Sequence, residues 1–153
     1  MAGNVKMKTT VKLRAEAQCP SHSLAQVAIR DLIVPIDEPV ERGGTNLGPT
    51  PTDAALAALA GCTNVITHKC ASQLQIDIGH LDISVVCDFD RRGVTLAEEI
   101  NVPFQTIKLT VKTSHAVSQD DLHKLSNEVA KFCPLSKLFK QAGTKIEEEW
   151  MSA

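Results

Sequence analysis

The sequence predicts an α+β fold in which a long apolar helix lies on antiparallel sheet. Three observations carry that prediction. Stretches 80–92 and 103–117 alternate apolar and polar residues with the period of a half-buried strand. The run from Thr50 to about Leu74 is almost uncharged and rich in Ala and Leu, over a length that suits a helix and not a strand. The order along the chain is strands, helix, strands, helix pair, strand. With 153 residues, the chain suffices for one domain, 1–153, around one hydrophobic core.

Composition narrows the function. Apolar residues make up 43% and charged residues 22%, as in a folded soluble protein. A formal net charge of -2 gives no electrostatic pull toward nucleic acid or an anionic membrane. Four Phe, one Trp and no Tyr leave little for a base-stacking platform. No uncharged apolar run reaches the length of a bilayer span, and the N-terminal stretch has no signal-peptide core. The expected location is the cytoplasm. There, five cysteines, an odd number, argue against a structural disulfide framework.

The elements follow in order. Residues 5–18 partly alternate, with Val11, Leu13, Ala15 and Ala17 on one face, and read as a strand. Residues 18–22 are a turn. Residues 24–34, "LAQVAIRDLIV", are β-branched and short, a second strand or a pair. The Pro- and Gly-rich connection 35–51 follows, and long connections in small domains often carry function. Thr50 can N-cap the long helix, Pro51 fits its first position and Asp53 can complete a capping box.

After that helix, Leu81, Ile83, Val85, Cys87 and Phe89 share a face, as do Ile107, Leu109 and Val111. The two stretches read as antiparallel neighbours. Ser118 and Asp121 open a further helix that buries Leu122, Leu125, Val129 and Phe132. Pro134 breaks it or starts a new one. Residues 134–143 form a short helix ended by Gly143, and 144–150 the last strand.

The long helix is unusual in being apolar on every side between Ala54 and Ala60. Such a helix is buried all round. One small domain has too little chain to cover it, which predicts a homodimer.

Among candidate chemistries, metal is weak: there is no Cys-x-x-Cys pair, and Cys62 and Cys70 lie about 80° apart around the helix axis. "ERGGTNLGPTP" is Gly-rich but lacks the spacing of a phosphate loop. No G-x-S-x-G elbow is present. Two cysteines remain. Cys62 follows Gly61, a residue that costs a helix interior roughly 1 kcal/mol against alanine, so something is expected to approach the backbone there. Cys133 precedes Pro134 and so stands at or near a helix N-cap, where unpaired N–H groups favour a thiolate. By position alone either cysteine is core filling or a reactive group.

The residues "GGTNLGPTPTDAALAALAGCTNVITHKCA", with "CPLSKLF" beginning 71 positions after Cys62, resemble the OsmC/Ohr family of osmotically inducible and organic-hydroperoxide-resistance proteins. The resemblance covers nearly the whole chain and favours the general OsmC branch over the strict Ohr branch. It implies an intertwined α+β homodimer with active sites at the dimer interface. It also implies a cofactor-free, metal-free thiol peroxidase acting on organic hydroperoxides and recycled by a dithiol reductant. Cys62 matches the peroxidatic cysteine and Cys133 the resolving one; Cys19, Cys70 and Cys87 match neither and read as structural. Ohr enzymes carry a glutamate ten residues before the peroxidatic cysteine, paired with an arginine that stabilises the thiolate. That position here is Thr52, followed by Asp53, and the Gly-Gly-Arg signature of that branch is missing. Asp53 and Arg42 are the candidates for thiolate stabilisation, ahead of Arg30 and Arg14. The departure leaves a second reading open: a binding protein on the same scaffold, holding an apolar or thiol ligand with little turnover.

Overall fold

In the computed structural model, which describes residues 8–153, the first three strands form one antiparallel sheet. They are β1 (Glu16–Gln18), β2 (Ala25–Ile29) and β3 (Leu32–Ile36), in the order β1-β2-β3. The stretch 24–34 is therefore a hairpin, turning at Arg30, whose φ is 57°. The strand expected over 5–18 shrinks to β1; its first residues, 5–7, lie outside the described residues. Register explains the shortening. Glu16 pairs with Ala28, so Ala15 falls opposite the last residue of β2 and the residues before it run past the end of that strand with nothing to pair with. Val11 and Leu13 are accordingly exposed.

The chain falls into two units, one ending at Ala54 and the other spanning Ala55–Ala153. In the first, the connection after β3 is tied down by Asp37, which is fully buried. Its carboxylate accepts from Glu38 N–H (2.8 Å), Thr45 N–H (3.0 Å), Thr45 Oγ1 (2.6 Å) and Leu47 N–H (3.1 Å). The Thr45 hydroxyl, ahead of the backbone donors, holds that carboxyl well below the usual range. Gly44 and Gly48 suit the tightness of this loop: a Cβ on either would strike the backbone of Glu38 or Pro35. A short 3-10 turn, Val40–Arg42, lies on the loop.

The long helix is α1 (Pro51–Leu74), with the bounds the sequence predicts. In the second unit it is followed by β4 (Leu81–Phe89), β5 (Phe104–Thr113), α2 (Gln119–Phe132), α3 (Pro134–Gln141) and β6 (Lys145–Met151). β4 and β5 pair antiparallel from Leu81↔Thr113, with an irregularity at Asp88/Phe89. β6 corrects the expectation of antiparallel sheet: it runs parallel to β5, from Thr106↔Lys145 to Lys112↔Met151. The α2–α3 connection supplies the length that a parallel crossover needs.

Leu59, Cys70 and Ala71 of α1 join Ile107, Leu109 and Val111 of β5 in one core with Leu125, Val129, Cys133 and Phe139. Within one chain α1 is buried along one stripe only. One stripe, Leu59, Thr63, Thr67, Cys70 and Ala71, faces the core. Ala57, Ala58, Gly61 and Val65 on other faces are exposed.

Ser118 caps α2 as predicted, accepting from Asp121 N–H at 3.1 Å. Phe132 is a correction, being 55% exposed. The buried stripe Leu122, Leu125, Val129 continues onto Cys133, four residues beyond Val129, and Phe132 stands one position around the helix from it. Pro134 starts a helix, and Gly143 follows its end at φ 98°, with Thr144 N–H donating to Phe139 O.

Candidate active site

Two elements of the second unit place the two cysteines. α1 carries Cys62 about three turns in, beside the core-facing Thr63. Cys133 sits at the joint between α2 and α3, where it closes the first helix and N-caps the second. Their sulfurs are 3.4 Å apart, and the Cys133 thiol donates toward Cys62 Sγ. Both are free thiols in this structure.

The N-cap position of Cys133 is as the sequence predicts, since Ser136 N–H donates to its Sγ at 3.4 Å. The electrostatic consequence differs. Cys133 is only 1% exposed, and burial pushes its thiol pKa up. The Ser136 and Leu135 N–H groups pull the other way, and the adjacent Cys62 raises it further. Desolvation therefore outweighs the helix N-terminus, and Cys133 holds its proton. Cys62 is half-buried.

Gly61 is exposed, and a Cβ there would meet nothing within 4 Å beyond its chain neighbours and its own helix backbone. No element of the same chain approaches it.

The other candidates lie in the first unit. Thr50 Oγ1 accepts from Asp53 N–H (3.1 Å) and donates to the Asp53 carboxylate (2.7 Å), so Asp53 works in the cap of α1. Thr52, at the position of the Ohr glutamate, shares a hydrogen bond with the same hydroxyl at 3.0 Å. Arg42 pairs with Glu38 at 3.0 Å, its side chain largely in solvent. Of the remaining cysteines, Cys70 is buried and Cys87 half-buried, and burial raises both thiols. Cys19 is exposed, so it does not fill a core. Among the described residues, no three His, Cys, Asp or Glu side chains gather as a metal site would require, and no helix is long and apolar enough to cross a membrane. Sequence reasoning missed Asp37. The signal available was an acidic residue opening a Pro- and Gly-rich loop, where it can bond to backbone ahead of it.

Residues 44–149 match the family model described as OsmC-like protein. The chain belongs to the OsmC-like protein family. Solved structures bear out the OsmC-like fold at low identity. An OsmC-like protein from Mycoplasma pneumoniae superposes with a TM-score of 0.74 at 17% identity, covering 94% of this chain and 96% of that one. The organic hydroperoxide resistance protein OhrB of Bacillus subtilis gives 0.63 at 20%, covering 92% and 98%. One from Legionella pneumophila, an organic hydroperoxide resistance protein OsmC, gives 0.67 at 15%, covering 95% and 99%. No curated protein matches this OsmC-like chain.

Proposed function

We propose that this OsmC-like protein is a thiol-dependent peroxidase that reduces organic hydroperoxides in defence against oxidative or osmotic stress. The observation that carries this reading is the 3.4 Å approach of Cys62 and Cys133, 71 residues apart in sequence. The Cys62 thiolate attacks the terminal peroxide oxygen, the O–O bond breaks, and the organic fragment leaves as an alcohol after taking a proton. Cys62 is then a sulfenic acid. Cys133 attacks that sulfur, water leaves, and a Cys62–Cys133 disulfide forms. A dithiol reductant restores both thiols. Apolar walls from α1 suit a bulky organic peroxide. Homodimer formation would cover the exposed Ala57, Ala58 and Val65 face, and Arg42 and Asp53 are the groups proposed to stabilise the Cys62 thiolate.

One equivalent of cumene hydroperoxide should remove two thiols and leave a 62–133 disulfide on peptide mapping. Cys133→Ser should trap a sulfenic acid at Cys62 that dimedone labels. Full activity in Cys62→Ser would sink the reading. A specific observation favours the second reading, a ligand-binding protein with little turnover: Asp53 is engaged by Thr50 and Arg42 by Glu38. Absent peroxide consumption together with saturable binding of an apolar thiol would decide for it.

A further inference from the structure

The peroxidase cycle leaves open which sulfur of the disulfide the reductant attacks. We infer that the reductant attacks Cys62 Sγ, and that Cys133 is the leaving group, received by the N-terminus of α3. The inference rests on the proposed cycle only in taking a Cys62–Cys133 disulfide as the species to be reduced.

Two observations lead there. The first is access. Thiol–disulfide exchange needs an incoming thiolate to reach the sulfur it attacks. Cys133 is 1% exposed, whereas Cys62 is half-buried. The second is what awaits the departing sulfur. Cys133 Sγ already accepts from Ser136 N–H at 3.4 Å, in the first turn of α3, so developing negative charge meets a donor already in place.

One effect opposes this assignment. Burial raises the Cys133 thiol, and a thiol of higher pKa leaves more slowly. Access decides, because a sulfur that no nucleophile reaches does not react through that route at all. The raised value then has a use: once expelled, Cys133 takes up a proton and does not attack the mixed disulfide to reverse the step.

A reductant thiolate bonds to Cys62 Sγ, the Cys62–Cys133 bond breaks, and its electron pair goes to Cys133, which is protonated. The reductant's second thiol, as thiolate, attacks the reductant sulfur bound to Cys62. Cys62 leaves as thiolate and the reductant becomes a disulfide. Two electrons pass from the dithiol to the protein.

The test uses glutathione, a monothiol that stops at the mixed disulfide, on full-length Cys19→Ser protein, which lacks the exposed thiol. The protein is oxidised in one arm with cumene hydroperoxide and in another with diamide. Brief glutathione treatment is quenched with acid and N-ethylmaleimide, and the peptides are mapped. Glutathione on Cys62 with N-ethylmaleimide on Cys133 is expected in either arm. Glutathione on Cys133, equal labelling, no reaction with glutathione, or no disulfide in the diamide arm would overturn the inference. A disulfide formed by diamide but not by peroxide would count against the peroxidase reading alone, and the exchange would still be read from the diamide arm.

Discussion

At Cys133 two effects of comparable kind act on one sulfur, and burial wins over the helix N-terminus. The outcome can be read in stability. A thiol raised in the folded state ionises in the unfolded chain first, from about pH 8.5. Stability should therefore fall as pH rises through that value toward the folded one. Urea titrations of the reduced protein between pH 7 and 10 should show a shallower decline in Cys133→Ser. Asp37 gives the opposite sign. Its carboxyl is depressed by the Thr45 hydroxyl and by the Leu47 and Glu38 N–H groups, so its contribution is present above about pH 4 and is lost as pH falls toward the lower folded value. Asp37→Asn should melt at lower temperature at pH 7 and lose less stability than the parent on acidification to pH 3. The N-cap position of Cys133 was legible from Cys-Pro alone. The state of its thiol was not, because desolvation depends on how Leu125, Val129 and Phe139 close around it, which no local pattern contains.

At the scale of elements, α1 was legible because its signals are local: Thr50, Pro51 and Asp53 at the start, and an apolar run from Ala54 to Ala60 after them. β4 and β5 were legible for the same reason, each repeating with period two. The orientation of β6 was not, since the sequence of a strand does not say which way its neighbour runs. The N-terminal strand failed because alternation is only half of a strand; the other half is a partner, and β2 ends at Ile29. Gly61 belongs to this scale as well. Nothing in the chain touches it, so Gly61→Ala should raise the stability of the isolated chain by about 1 kcal/mol in urea. If the exposed face of α1 seats a second copy, as proposed, the same change should weaken self-association in sedimentation.

For the whole molecule, the pairing of the two sulfurs joins positions 71 residues apart, across α1, β4, β5 and α2. A disulfide there would close a loop that restricts the unfolded chain, an effect worth up to about 4 kcal/mol in the chain-entropy treatment. The oxidised protein should show a higher urea midpoint than the reduced one, and Cys133→Ser should abolish the difference. The family resemblance, not the spacing, made this pair legible: Cys62 and Cys133 lie on different elements, and only the packed core brings them within reach. The same closure has a consequence for electron transfer. By the thermodynamic cycle, whatever the disulfide adds to the fold, the fold adds to the disulfide. About 4 kcal/mol corresponds to a reduction potential roughly 90 mV more negative than that of the same pair in the unfolded chain. Folding thus sets the driving force that the reductant must supply. A variant so destabilised that it unfolds once reduced would be reduced by weaker donors than the native protein, even with both cysteines intact.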